Sequence, residues 1–291
     1  MSIRLATLVA LGLGACARTP APLPEAHYVV GQPYQAGGIW YYPREQFDYD
    51  DTGVAAVMPR RTGRTADGEA ADAGAMAAAH ATLQLPAIAE VTDLDNGFQV
   101  IVRVNDRMAI PGRVIALTPR AMALLQADTP TPRVRVEVLQ AESLRVAADA
   151  HGGAATLALA AAPTTDVQQE LLPLPPGAQA GQGHALTAKP ALAALPSPAS
   201  VPLRLPDTAT RVAPRPGGLY VEAAALGHLD YARMLRDRLA SLGAQVSTSY
   251  DAPRELAYRV RIGPLPTVAA ADAMLARVIR AGITGARIVA E

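Results

Sequence analysis

The chain has 291 residues, a formal net charge of zero and a hydrophobic content of 50%, to which alanine contributes heavily. Lysine plus arginine and aspartate plus glutamate number 26 each, and this balance excludes a nucleic-acid-binding protein, which needs a basic face. A single cysteine excludes an intramolecular disulfide and a cysteine-based zinc site. The length allows two domains.

The first residues have the layout of a secretory signal. A positively charged start at 1–4 precedes an apolar run at 5–14, which is too short to span a bilayer. The small residues before Cys16, in the order Leu-Gly-Ala-Cys, resemble the bacterial lipobox, in which cleavage leaves the cysteine as a lipidated, palmitate-bearing N-terminus. We therefore predict a signal peptide at 1–15 and a lipidated tether at 16–27. A plain signal peptide with an incidental cysteine is the alternative.

The next region contains two strand patterns and one helix signal. Residues 98–104 and 133–139 are rich in β-branched side chains that largely alternate with polar ones, which predicts strands. Between them, Thr118 followed by Pro119 predicts a capped helix that runs to about Gln126. The region is therefore predicted to be mostly β.

Residues 141–216 are predicted to form a flexible linker. From about residue 162 this segment is dominated by proline and alanine and shows little periodicity. Such a composition buries too little large apolar surface to offset the entropy of ordering. A coil of about 75 residues has an r.m.s. reach of about 50 Å, enough for two domains to hold different parts of one extended polymer.

The last 75 residues or so alternate strand and helix patterns. Strands are predicted at 219–221, 258–262 and 287–289. Between them, Asp230 is predicted to cap a helix with Tyr231 on its inward face, and a second helix begins at Thr267. This order predicts an α+β domain built as a split βαβ repeat.

Three polar residues of the first domain are candidates for chemistry. Glu69 follows a turn signal, His80 ends an alanine-rich stretch and Asp106 ends a strand. Two carboxylates and an imidazole at a solvent-facing cleft can provide general acid/base catalysis on a glycosidic bond. Asp-Gly-Glu is also typical of a surface turn, and Asn-Asp-Arg after a strand is typical of a solvated loop. No metal site or cofactor is predicted, because the remaining histidines lack ligand spacing.

Residues 28–140 resemble the rare lipoprotein A (RlpA) family, whose fold is a double-psi β-barrel. The resemblance is carried by several ordered blocks with a lipobox before them. The blocks are Tyr28-Val29-Val30-Gly31, Trp40-Tyr41-Tyr42-Pro43, Tyr49-Asp50-Asp51-Thr52-Gly53, Gly63-Arg64-Thr65-Ala66-Asp67-Gly68-Glu69, Ala78-Ala79-His80, Asp95-Asn96-Gly97 and Val104-Asn105-Asp106-Arg107.

Residues 217–291 resemble a SPOR domain, notably in Tyr-Arg-Val-Arg-Ile-Gly-Pro from position 258. The resemblance implies binding to glycan strands stripped of their peptide stems. The glycan-contacting residues that we expect are Tyr220, Tyr258, Arg259 and Arg261, and a core role for either tyrosine is the alternative.

The resemblance to the rare lipoprotein A family also implies an activity. Its members are lytic transglycosylases, which cleave between N-acetylmuramic acid and N-acetylglucosamine and leave an anhydro end. The sugar's own hydroxyl attacks, so one acid/base group serves both steps. Carried over, Asp106 is that group, with Glu69 and His80 lining the site.

The sequence departs from the family pattern at several positions. Where the family carries Trp-Tyr-Gly, this chain has Ala56-Val57-Met58-Pro59, and the aromatic-Asp pair after Gly-Glu is interrupted, as Ala70-Ala71-Asp72. A usual aspartate is Ala116, and an aromatic residue of the SPOR pattern is Leu226. Sugars stack on aromatic rings, so these losses weaken the expected hold on substrate.

Two functions remain open on the sequence. One is a lytic transglycosylase acting on stripped glycan at the division septum, and the other is a non-catalytic wall-binding lipoprotein with a degenerate barrel site. In both, the partners are peptidoglycan, a membrane reached through the lipid and division-site proteins, and not nucleic acid. Ala17 after the cysteine, in place of Asp, predicts the outer membrane facing the periplasm.

Overall fold

A computed structural model describes residues 25–151, 205–251 and 255–291. Cys16, the signal peptide and most of the predicted linker lie outside the described residues, so those predictions stay predictions. Among the helices of the described ranges, none is long and apolar enough to cross a bilayer.

The N-terminal domain is a closed barrel of six strands. Its strands are β3 (Asp50–Val57), β4 (Ala77–Ala79), β5 (Ala87–Asp93), β6 (Phe98–Asp106), β7 (Ile115–Leu117) and β8 (Arg133–Val138). The strand order is β4-β7-β3-β8-β5-β6, and β6 pairs with β4 to close the ring. The pairs β3–β7 and β4–β6 are parallel and the others are antiparallel. The predicted mostly-β barrel is thereby confirmed.

The barrel closes around a core of valine, leucine and alanine. Alternate residues of β6 and β8 point inward, so Val100, Val102, Val134 and Val136 are buried while their polar neighbours are not. Burial of each such side chain contributes about 1.5–3 kcal/mol relative to exposure. The alternation read from the sequence thus decides which face of each strand supports the barrel.

Helix α1 (Pro119–Leu124) begins where the sequence predicts. The Oγ1 atom of Thr118 accepts a hydrogen bond from the backbone N–H of Ala121 at 3.3 Å, and Pro119 occupies the first turn. The helix ends before the predicted Gln126, because this residue has a left-handed φ of 49°.

The ends of the predicted linker belong to the barrel. Helix α2 (Gln140–Ala150) packs against β5, and Ser143 Oγ bonds both the N–H and the C=O of Ile88 at 2.9 and 3.0 Å. Strand β9 (Thr210–Arg211) pairs with the start of β6. The linker prediction therefore stays open only for 152–204. Because the composition is rich in alanine, this amphipathic helix was not predicted from the sequence.

The C-terminal domain is a four-stranded antiparallel sheet in the order β11-β12-β10-β13, with two helices on one face. This confirms the predicted α+β domain. Its elements are β10 (Leu219–Leu226), α3 (Leu229–Arg238), a 3-10 turn (Ala240–Leu242), β11 (Gln245–Asp251), β12 (Glu255–Leu265), α4 (Val268–Arg280) and β13 (Arg287–Ala290).

Helix α4 follows its prediction and helix α3 departs from it. Thr267 caps α4 by accepting a hydrogen bond from Ala270 N–H at 3.1 Å. In α3 the N-cap is His228, so Asp230 lies inside the first turn, and Tyr231 is 62% exposed. The inward position is taken by the small Ala232, because the helix lies close to the sheet.

A short hairpin lies outside the barrel. Strands β1 (Tyr34–Ala36) and β2 (Ile39–Tyr41) are joined by Gly37 and Gly38, both with positive φ, as a two-residue hairpin turn requires.

Candidate functional site

Asp106, the predicted acid/base residue, is the last residue of β6 and is only 2% exposed. Its Oδ1 atom accepts backbone N–H groups of Ala66 at 3.0 Å and Arg107 at 2.8 Å. Its Oδ2 atom lies 2.5 Å from Nη2 of Arg61, an ion pair that lacks the angles of a hydrogen bond. The expectation of a solvent-facing Asp106 is therefore wrong: the loop and Arg61 cover the carboxylate.

Glu69 is the accessible carboxylate of the three candidates. Its side chain is 25% exposed, and its oxygens contact Arg103 Nη2 and Asn105 Nδ2 at 2.7 Å each. It lines a cleft of about 500 Å³, the carboxylate cleft, together with Arg61. Because both Arg103 and Asn105 belong to β6, strand pairing fixes the orientation of this side chain.

Asp67, which the sequence reasoning did not single out, lies beneath Glu69. Its Oδ1 atom accepts from Thr65 Oγ1 at 2.6 Å and from the Glu69 N–H at 3.2 Å, and its Oδ2 atom has no hydrogen-bond partner among the described residues. Burial raises the pKa of Asp67 to about 6; the hydrogen bond from Thr65 opposes this rise and the charge of Glu69 adds to it. The Thr-Ala-Asp turn is the sequence signal that could have identified it.

His80 lies in a different cleft from Glu69. Its Nδ1 atom accepts the backbone N–H groups of Thr82 at 3.1 Å and Leu83 at 3.0 Å, so the ring proton is on Nε2, which lies 3.2 Å from Tyr49 Oη. Burial, assisted by Arg107, lowers the pKa of His80 to about 3. The ring is neutral near pH 7, and its Nδ1 atom holds the turn at Thr82 and Leu83.

His80 and Asp106 meet through their backbones. The N–H of His80 donates to the carbonyl of Asp106 at 3.1 Å. The Arg107 guanidinium then donates to the carbonyls of His80, Leu83 and Val30 at 3.3, 2.6 and 3.0 Å. The structure therefore places Asp106 against Arg61, which lines the carboxylate cleft with Glu69, and leaves His80 as support for the strand end that carries Asp106.

The end of the predicted linker also reaches the carboxylate cleft. Leu205 and Asp207 line it, and Arg120 donates two hydrogen bonds of 2.9 Å to Asp207. Sequence reasoning missed this wall because the segment shows no periodicity.

The C-terminal candidates divide between the two faces of the sheet. Tyr258 packs partly against the helix-covered core, whereas Arg259 and Arg261 alternate with it onto the open face. On that face both arginines bind Glu222, which is 3% exposed, at 2.9 and 3.2 Å, and Arg287 binds it at 2.9 Å. Tyr220 shares the open face by the same alternation. We did not predict Glu222 or Arg287, whose roles depend on strand register.

Comparisons with known proteins bear on both domains. Residues 216–288 match the model of the SPOR domain. The endolytic peptidoglycan transglycosylase RlpA of Pseudomonas aeruginosa is 33% identical over 256 residues, which are 84% of this chain and 72% of that protein. The chain belongs to the RlpA family. The proteins of the same name from Escherichia coli and Helicobacter pylori are 33% and 38% identical over 55% and 31% of this chain, covering 42% and 30% of their own lengths.

The departures from the RlpA family pattern cluster in the structure. Met58, Ala70 and Ala71 all line the carboxylate cleft. Met58 also packs with Ala79 and Ala116 in one small apolar cluster. The position of the usual aspartate is thus filled by a methyl group that contacts a new methionine, so the two replacements compensate in packing.

Proposed function

We propose that the chain is a lytic transglycosylase that cleaves peptide-stripped peptidoglycan glycan strands. The observation that carries this proposal is the carboxylate cleft, where Glu69 is accessible and Asp106 lies directly behind Arg61. Similarity to endolytic peptidoglycan transglycosylases over most of the chain supports the same reaction. A SPOR domain supports a glycan-binding role for the C-terminal part.

In the proposed mechanism, Asp106 transfers the proton. It protonates the leaving oxygen, then removes the proton of the sugar hydroxyl that attacks, so that an anhydro end forms without a separate nucleophile. Arg61 must leave Oδ2 first; its 37% exposure allows this movement, which also breaks the 3.0 Å hydrogen bond from Nη2 to the Arg64 carbonyl. Glu69, fixed by Arg103 and Asn105, orients the sugar. His80 is a positioning residue for the strand end that carries Asp106.

Incubation of the full chain with amidase-treated peptidoglycan tests the activity by mass spectrometry of anhydro products. Asp106→Asn should lower the rate by about 10²–10⁴-fold, because the amide does not transfer the proton. Its Oδ1 atom still accepts from Ala66 and Arg107, so folding should survive, which thermal unfolding checks. Glu142→Gln, an exposed carboxylate of helix α2 that does not line this cleft, is the matched control with unchanged rate.

A second candidate function is a non-catalytic glycan-binding lipoprotein. The ion pair that covers Asp106 and the loss of aromatic residues around the carboxylate cleft favour it. Glycan retention by the wild-type chain without any anhydro product would establish this alternative and contradict the first.

The lipid anchor at Cys16, the outer-membrane location and the domain boundaries at 28–140 and 217–291 belong to the same proposal. Cys16→Ser should abolish palmitate labelling and move the protein out of the membrane fraction. Labelling and fractionation that stay unchanged would exclude the anchor.

Enrichment at the division septum and contact with division-site proteins are also proposed, since stripped glycan is the expected ligand of the SPOR domain. A fluorescent fusion to the full chain should concentrate at septa, and a uniform signal along the envelope would contradict this location.

A further inference from the structure

Two large aromatic side chains stand exposed on the hairpin outside the barrel. Trp40 is 51% exposed and Tyr42 is 63% exposed, and their spacing of two residues places them on one side of the chain. Exposed aromatic side chains grouped in this way mark a binding surface more often than scattered ones do. The function proposed above uses neither residue.

The hairpin is held rigidly enough to present them. Tyr34 and Tyr41 stack across the two strands with ring centroids 5.4 Å apart. Tyr34 Oη also donates to the carbonyl of Ala81 at 2.9 Å, which ties the hairpin to the turn that follows His80. These contacts hold Tyr34 and Tyr41 in place, while Trp40 and Tyr42 remain exposed.

Both aromatic residues, together with Ile39 and Tyr41, line a cleft of about 550 Å³, the aromatic cleft, between the hairpin, the barrel and the C-terminal domain. Its polar lining includes Arg44, Asp50 and the Tyr49–His80 pair. A two-hydrogen-bond ion pair between Arg113 and Asp272, at 2.7 and 2.8 Å, joins the two domains at its margin. The aromatic cleft is distinct from the carboxylate cleft, since Glu69 and Arg61 line only the latter.

This lining suits a pyranose ring. A sugar has an apolar C–H face and an edge of hydroxyl groups, so flat aromatic rings cover the face while arginine, carboxylate and hydroxyl groups bond the edge. We propose that the aromatic cleft is a second carbohydrate-binding site, in which Trp40 and Tyr42 hold an N-acetylated sugar of a glycan strand. The choice of glycan as ligand rests on the proposed function.

The position of the aromatic cleft affects how long glycan strands bind. His80 lines the aromatic cleft, and its backbone bonds that of Asp106, which lies behind the carboxylate cleft. A strand bound at Trp40 therefore has its next sugars held near the carboxylates at high effective concentration. The site favours polymers over short fragments.

The chain contains a single tryptophan, so its fluorescence reports on Trp40 alone. Peptide-free glycan fragments from amidase-treated sacculi, added to the full chain, should shift the emission saturably. Glu69→Gln, in the other cleft, should keep the shift. Tyr42→Ala should weaken apparent affinity about tenfold, equivalent to 1.4 kcal/mol. Tyr231→Ala, a tyrosine of equal exposure on α3, is the matched control and should change nothing.

Retention of the same fragments in a pull-down provides the second readout. Trp40→Phe should preserve most of the retention, and Trp40→Ala should lower it to the part that the SPOR domain provides. An unchanged emission with retained fragments, or no retention at all, overturns the aromatic site. Anhydro products are measured separately. A saturable emission shift without product refutes the proposed activity and supports the aromatic site. Product without an emission shift refutes the aromatic site and supports the proposed activity.

Discussion

The barrel and the SPOR domain each bury a carboxylate, and the two carboxylates differ in whether their charge is paired. Glu222 in the SPOR sheet is 3% exposed and bound by Arg259, Arg261 and Arg287. Asp67 in the barrel is 1% exposed, yet one of its oxygens has no hydrogen-bond partner among the described residues. Removing the carboxylate from a paired buried charge leaves its partners uncompensated, whereas removing an unpaired buried charge relieves its desolvation.

The largest expected effect follows from removal of the paired charge. Glu222→Gln leaves three arginines around a neutral amide and should lower the free energy of unfolding by about 3–5 kcal/mol. Chemical denaturation measures the change. Glu291→Gln is the matched control, because Glu291 also binds Arg261 but is 50% exposed, and its loss should cost under about 1 kcal/mol. Equal losses of unfolding free energy in Glu222→Gln and Glu291→Gln would contradict the expected difference between the buried and the exposed carboxylate.

Removal of the unpaired charge should have the opposite sign. Because the pKa of Asp67 rises to about 6 in the folded state from 3.8, its protonation stabilises the fold fully below pH 3.8, and this contribution is lost as the pH rises to about 6. Asp67→Asn should therefore gain stability relative to wild type across that window, by about 2 kcal/mol at pH 7. Denaturation at several pH values measures it.

Asp72→Asn, an exposed residue of the same cleft, is the control for that series and should show no such trend. A difference between Asp67→Asn and wild type that stays constant from pH 4 to pH 7 would falsify the assignment of this shift to Asp67.

The smallest expected effect concerns the neighbour of the unpaired charge. Glu69 raises the pKa of Asp67 through its negative charge, so Glu69→Gln should lower that pKa towards its ordinary value. Carboxyl NMR titration of both chains measures the change. A pKa that stays the same or rises would show that burial and the Thr65 hydrogen bond act alone.

Local signals predicted most elements but not their assembly. Thr118-Pro119 and Thr267 act within one helical turn, and both helices begin where they are predicted to begin. Asp230 was assigned as a cap wrongly, because the fold starts the helix earlier, at Leu229. Helix α2 was not predicted, since it is held by a hydrogen bond between Ser143 Oγ and the backbone N–H of Ile88, a partner distant in the chain.

The candidate site shows the same division. Glu69, His80 and Asp106 were identified by residue type and by resemblance to a family, without knowledge of their surroundings. Their burial, the cover of Asp106 by Arg61 and the separation of His80 into another cleft depend on which strands pair. Asp67 was passed over because an aspartate in a turn looks solvated until the strand beneath it is placed.

By itself the sequence determined the kinds of strands and helices, the two caps, the two-domain order and the family, because these depend on neighbouring residues and on ordered motifs. Only the tertiary structure decided which charges are paired, which are buried alone and which aromatic side chains stay exposed. The physical reason is that charge pairing and burial depend on strand register and on contacts between distant segments. A one-residue change of register would turn Glu222 to the other face of its sheet.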